Sequence, residues 1–219
     1  MPATESSDYV GKPSLAIPVQ YLKASLALLI AGAKRLQQQK VVHDKMNESS
    51  EITPRLASEM IAEQTAVGCD IIRFDFEVHH LSDPADPKSV CRLDFKFTWN
   101  NYDNKAYLAV EAKRLRGKGE SLAYKYVDEG VMDFVDGKYS RGHNYGIMIG
   151  YVVLAPLDNA VAKVITAMNA RKTATCENSP CRIDNSFCSH PYTHHSSHLQ
   201  PGRTEPITLI HVFLNFADS

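Results

Sequence analysis

The tripeptide Glu111-Ala112-Lys113 sets one carboxylate and one ammonium two residues apart inside AYLAVEAKRLRGKGE, a stretch that opens as an apolar run and ends in charge. In an extended chain alternate side chains share a face, so Glu111 and Lys113 project together. The stretch VCRLDFKFTW just before it alternates in the same manner. Leu93, Phe95, Phe97 and Trp99 fall on one face, and Arg92, Asp94, Lys96 and Thr98 on the other. If the two strands pair across NNYDNK, Asp94 reaches the face of Glu111. Two close carboxylates repel unless a cation or a proton joins them. Magnesium is held by one or two carboxylates with carbonyl and water oxygens, so the Ala112 carbonyl is a further candidate ligand. An ion there activates a water, and the lysine orients that water or stabilises developing negative charge. Those are the requirements for hydrolysing a phosphodiester. The plain alternative is a solvated strand end whose Glu–Lys pair contributes about 0–1 kcal/mol.

Periodicity predicts the elements that must position these groups. Residues 1–18, with Pro2, Pro13 and Pro18, read as a loose tail. Apolar residues at helical spacing predict helices over about 19–40 and 51–66, with Pro54 in the first turn of the second. Strands are predicted over about 69–80, 90–99 and 106–114, joined by short turn-rich segments as an antiparallel meander. A helix over about 120–137, a buried strand over 145–154, a helix over about 157–171 and a strand over 207–216 complete the order. Residues 172–206, rich in Cys, His, Pro and Ser, read as a loop within a single domain over 19–219. The expectation is an α/β fold, a mixed β-sheet flanked by helices.

Asp94 followed by Glu111-Ala112-Lys113, within the order helix, three strands, helix, strand over residues 51–154, resembles the PD-(D/E)XK or restriction-endonuclease-like nucleases. Leu93 stands where the signature often has proline. The segment YVDEGVMDFVDGKYSRGHNYGIMIGYVV is also similar to small nucleases of bacterial phage-defence and restriction loci. The resemblance implies a restriction-endonuclease-like core and a Mg²⁺- or Mn²⁺-dependent deoxyribonuclease. Asp94, Glu111 and Lys113 would be catalytic, with Asp94, Glu111 and Ala112 holding the metal. It also implies an acidic ligand from the helix before the sheet. Of Glu51, Glu59 and Glu63, Glu51 is preferred from its place in NESSEIT, although a carboxylate there also suits the helix dipole. Arg114, Arg116 and Lys118 of the basic turn, with Tyr124 on the next helix, are candidates for holding DNA phosphates. A solvated turn is the alternative. A second reading keeps the fold but makes the chain a catalytically idle binding or structural subunit.

The chain has 219 residues, 44% of them hydrophobic and 22% charged, with a formal net charge of −1. That balance excludes coating nucleic acid by bulk charge, so a homo-oligomer or a helicase or ATPase partner is expected to complete the DNA surface. No apolar run reaches the roughly 18 residues of a membrane span, and MPATESSDYVGKPS lacks the form of a secretory signal. Cys69, Cys91, Cys176, Cys181 and Cys188 make an odd set, read as free thiols in a reducing cytoplasm. Cys176, Cys181 and Cys188, with His190, His194, His195 and His198, offer zinc ligands without a C-x-x-C knuckle. A zinc-stabilised interaction protein is the third reading, beside a polar loop whose histidines cap strands or meet phosphate.

Overall fold

The computed structural model describes residues 16–42, 45–68, 71–81, 90–99, 106–116, 121–154 and 156–217. Helix α1 (Val19–Gln39) is followed by a π-helical turn (Glu48–Ile52) that runs into α2 (Thr53–Val67). The meander follows as β1 (Ile72–Leu81), β2 (Val90–Trp99) and β3 (Leu108–Leu115). The helix expected next is built in three pieces: α3 (Ser121–Tyr126), a π-helical turn (Val127–Val131) and α4 (Met132–Val135). Then come β4 (Tyr145–Val152), α5 (Leu157–Arg171), β5 (Glu177–Ile183), β6 (Thr193–His198) and β7 (Ile207–Asn215). The seven strands form one mixed sheet in the order β1-β2-β3-β4-β7-β6-β5. β3, β4 and β7 are parallel, and the other neighbours are antiparallel.

The sheet is covered on both faces, as the parallel strands at its centre require. On one face α1 and α2 bury Leu22, Leu29, Leu56 and Met60 against Phe95, Phe97, Val110, Ile147 and Ile149. Gly32 of α1 lets α2 approach its backbone: a Cβ there would lie 3.0 Å from the Met60 nitrogen and 3.2 Å from its Cα. On the other face α3, α4 and α5 bury Tyr126, Phe134, Val164 and Met168 against Ala109, Met148 and Phe213. Ile147, Ile149 and Val152 are fully buried, as an interior strand beside the meander should be. Pro18 sets the start of α1, and Ile17 before it is buried and donates its N–H to Asn144 Oδ1 at 2.8 Å. The expected tail therefore does not extend through residue 18. Its first fifteen residues lie outside the described set.

The segment 172–206 is not the loop expected. It contributes β5 and β6, which extend the sheet beyond β7. Its proposed zinc ligands divide between the two faces: Cys181 packs with the α5 side, Cys188 with the α1 side. His194 meets Phe213, while His195 stacks on Phe187. Among the described residues no three His, Cys, Asp or Glu side chains form a metal cluster.

Two other histidines are tied into a buried chain. Tyr126 Oη lies 3.0 Å from His211 Nδ1, His211 Nε2 lies 2.7 Å from Ser196 Oγ, and Ser196 Oγ lies 2.8 Å from His198 Nε2. His198 Nδ1 lies 2.8 Å from the Thr175 carbonyl. That carbonyl can only accept, which fixes every other proton in the chain once both imidazoles are neutral. His198 Nδ1 donates to it, Ser196 donates to His198 Nε2, His211 Nε2 donates to Ser196, and Tyr126 donates to His211 Nδ1. Both imidazoles are neutral in this arrangement. Burial pushes His198 down to about 4, partly offset by the Thr175 bond, and pushes His211 well below its usual range. A lowered histidine stabilises the fold fully above its unfolded value near 6.5 and loses that contribution as pH falls toward the folded value. In thermal melts the contribution of these two histidines to stability should therefore fall between about pH 6.5 and 4. Ser196→Ala, which strands two buried nitrogens, should cost about 1–3 kcal/mol at pH 7.

Candidate active site

Asp94 and Glu111 meet where β2 leaves β3. The antiparallel ladder runs through Phe97–Leu108, Lys96–Ala109 and Phe95–Val110. Past Phe95 the Asp94 carboxylate takes over from the ladder, accepting the Ala112 N–H at 2.7 Å through Oδ2. The other edge of β3 pairs with β4 from Val110–Ile147 to Leu115–Val152, which fixes the direction of Glu111 and Lys113. Glu111 lies beside Met148, and Lys113 beside Gly150, whose missing side chain makes room for Phe213 and Leu115. From the helix side, Gly130 of the π-helical turn allows close packing on Met148 and the Lys113 stem. A Cβ at Gly130 would clash with the Met148 terminal methyl and lie 3.7 Å from Lys113 Cγ.

Strict alternation in β2 does not hold at this point. Phe95, Phe97 and Trp99 pack with α1 and α2, but Leu93 packs with the α3–α5 layer. The neighbouring strand is distorted at the same level: Glu77 of β1, between the pairs Phe76–Phe95 and Val78–Leu93, has φ 52°. The twist at this level carries Asp94 to the end of the ladder, where its carboxylate reaches the backbone of Ala112.

The resulting cleft, about 120 Å³, is lined by Glu48, Arg92, Asp94, Glu111, Ala112 and Lys113, with Ser49 at its edge. Lys113 Nζ donates to Glu111 Oε1 at 2.6 Å. Asp94 and Glu111 are each only 6% exposed, so their charges are poorly screened. Burial raises the Asp94 carboxyl against the pull of its Ala112 hydrogen bond and the nearby Lys113 and Arg92. Burial and then the Asp94 charge push Glu111 up to about 8, although Lys113 opposes the shift and Asp133 adds to it. Burial alone would lower the Lys113 ammonium, but Glu111, Asp94 and Glu48 together raise it. The lysine is thus charged, and the cleft lining sets three carboxylates, Glu48, Asp94 and Glu111, against two cations, Arg92 and Lys113, an excess that a bound proton or cation relieves. Two buried carboxylates beside a backbone carbonyl suit a hard divalent ion that keeps several waters. Asp94, Glu111 and the Ala112 carbonyl would hold it.

The acidic residue contributed by the preceding segment is Glu48, not the expected Glu51. Asn47 caps the turn, accepting the Ser49 and Ser50 N–H groups at 2.9 and 3.2 Å. Glu51 reaches back to the Asn47 N–H at 2.7 Å and is exposed, so its carboxylate is spent on the cap. In an ordinary capping box that role falls at the third helical position. The wider π-helical turn shifts it by one and leaves Glu48 free to face β3. Arg114 fixes the segment there, donating to the Met46 carbonyl at 2.5 Å and lying 3.8 Å from Glu48.

Arg114 is therefore a positioning cation. Arg116 is half-buried just past β3, and Lys118 lies outside the described residues. Tyr124 has the Arg171 guanidinium over its ring at 4.7 Å, and Arg171 also pairs with Asp128 at 3.0 Å. The cation at the cleft itself is Arg92, exposed on β2. Alternation placed it on the Asp94 face, and its type was the available signal. Asp133 of α4 is only 20% exposed at its side chain and is held by Lys138 at 2.6 Å.

A carboxyl raised in the folded state stabilises the fold below its unfolded value and loses that contribution as pH rises through its folded value. The Glu111 contribution should therefore decline between about pH 4.5 and 8 in the metal-free protein. A divalent ion selects the ionised pair, so its affinity should rise over the same range. Calorimetric Mn²⁺ titrations at pH 7 in buffers of different ionisation enthalpy should show release of about one proton per ion. Binding without proton release would contradict the assignment.

Comparison of the chain with protein-family models, with curated proteins and with solved structures gives no match. Among the described residues no helix is long and apolar enough to cross a membrane.

Proposed function

We propose that the chain is a Mg²⁺- or Mn²⁺-dependent hydrolase of DNA phosphodiester bonds, built on a restriction-endonuclease-like core. The observation that carries this reading is the convergence of Asp94, Glu111, Lys113 and the Ala112 backbone in one cleft. When bound, the metal supplies Lewis acidity at the scissile phosphate and an acidified water. Asp94 and Glu111 hold the ion, and the Ala112 N–H fixes the Asp94 carboxylate. Lys113 exchanges its contact with Glu111 for the attacking water or the phosphate oxygens, where its charge stabilises the transition state. Arg92 at the rim meets a neighbouring phosphate.

A bacterial phage-defence or restriction role rests on the sequence resemblance alone, and a cytoplasmic location on the odd set of cysteines. The second reading, an idle binding subunit, is favoured by one feature: Arg114 is engaged with Glu48 and Met46, leaving fewer free cations along the cleft. A helicase or ATPase partner, or a second copy of the chain, would supply the rest of the DNA surface. The test is cleavage of supercoiled, linear and single-stranded DNA with Mg²⁺ or Mn²⁺ and with chelator, alone and with a neighbouring partner added. Cleavage that requires the ion supports the hydrolase. Metal and DNA binding without cleavage under every condition transfers the assignment to the binding subunit.

A further inference from the structure

A second pocket lies away from this cleft. It lies on the α1 side of the sheet, lined by residues at the starts of β4 and β7 and by the β5–β6 pair. Its volume is about 270 Å³. Three rings form its apolar wall. Phe187 stacks on His195 with centroids 4.8 Å apart, and Tyr145 meets Phe187 edge-on at 5.6 Å.

The polar groups are arranged around His195. Asp184 accepts the Ser186 N–H at 2.9 Å through Oδ1, and its Oδ2 lies 3.2 Å from His195 Nδ1. The Ser186 bonds hold the Asp184 carboxyl below its usual range, so it is ionised. Burial lowers His195 and keeps it neutral. Nδ1 therefore carries the proton and donates to Asp184, which leaves Nε2 as an acceptor. His195 is 8% exposed, and its Nε2 is buried without a hydrogen-bond partner among the described residues. A buried acceptor left unpaired is costly, and here it belongs to a ring that lines a pocket. Arg182 lies opposite His195 in the β5–β6 register and is exposed at the same pocket.

We infer that this pocket binds a nucleoside phosphate, whose base packs on the Phe187–Tyr145 wall and gives a hydrogen bond to His195 Nε2 while its phosphate meets Arg182. The ring wall suits one planar group. The acceptor requires an N–H or O–H on that ligand, and the guanidinium requires a negative charge. The same chemistry comes from a free mononucleotide or from an unpaired nucleotide of a strand. The inference does not depend on the hydrolase reading, because none of its residues lines the Asp94–Glu111 cleft.

The test is calorimetric titration of the full chain with each ribo- and deoxyribonucleoside monophosphate, with inorganic phosphate, and with a short single-stranded oligonucleotide. At least one mononucleotide should bind, and phosphate alone should bind about tenfold more weakly or not at all. His195→Phe keeps the ring stack and removes the acceptor; Arg182→Glu reverses the exposed charge. Each should weaken binding about tenfold or more with little change in Tm. Glu111→Gln should leave it unchanged, which separates this site from the cleft. An oligonucleotide bound about tenfold more tightly than its mononucleotide, with the same sensitivity to both variants, assigns the pocket to a strand. Equal affinities assign it to a free nucleotide, and both results support the site. No saturable binding up to about 10 mM, or equal binding by both variants, overturns it. Loss of binding in Glu111→Gln also overturns it.

Discussion

Replacing Lys113 by alanine lowers DNA cleavage by a factor of roughly 10² or more, the scale for losing one transition-state stabiliser. Metal binding stays intact or tightens, because the change removes a positive charge from beside Glu111, its partner at 2.6 Å. The fold survives, since the lysine lines the cleft, where its ammonium is paired with Glu111. Metal titration, thermal melting and the cleavage assay check the three parts separately. Cleavage equal to that of the unmodified protein would reduce Lys113 to a surface charge.

Glu111→Gln has two effects of opposite sign. Glutamine keeps an oxygen for Lys113 but removes the charge that burial and Asp94 disfavour. Without metal, the variant should melt at a higher temperature than the unmodified protein at pH 8 and above. At pH 5, where Glu111 is already protonated, the difference should vanish. Metal affinity and cleavage should both collapse, cleavage by about 10² or more. A uniform loss of stability at both pH values would mean that Glu111 is a structural ion-pair partner of Lys113. That outcome would remove it from the metal site.

The core of this site was legible because it depends on period-two alternation at close range. Glu111 and Lys113 needed only to lie in a strand, and the apolar run before them supplied it. Asp94 needed the neighbouring strand and a short turn, both of which the residue pattern marked. Glu48 was not legible, since choosing it over Glu51 requires knowing that the turn after Asn47 is wider than an α-helix. The inward turn of Leu93 was likewise hidden, because it arises where two strands distort together and not from local sequence.

The edge of the sheet was missed for a different reason. ENSPCRI and THHSSH carry little β-branched or aromatic content, and Pro180 argues against a central strand. Proline is tolerated because β5 is an edge strand, irregular between Glu177 and Arg182. Within β6, Ser196 and His198 are buried despite their polarity because they are satisfied by each other, by His211 and by Thr175. Strand propensity reports packing on a half-apolar surface, and these residues are held by hydrogen bonds across elements far apart in sequence. The α/β class and the central strands were readable from the sequence, but the extension bearing the His195 pocket was not.

The central claim is that Asp94, Glu111 and Ala112 form one divalent-metal site, and the most direct test is anomalous scattering from crystals of the protein soaked in Mn²⁺. The account predicts one strong peak at about 2.1 Å from carboxylate oxygens of both Asp94 and Glu111 and from the Ala112 carbonyl, lost in Glu111→Gln. An empty cleft at saturating Mn²⁺, or a peak held by other residues, would contradict it.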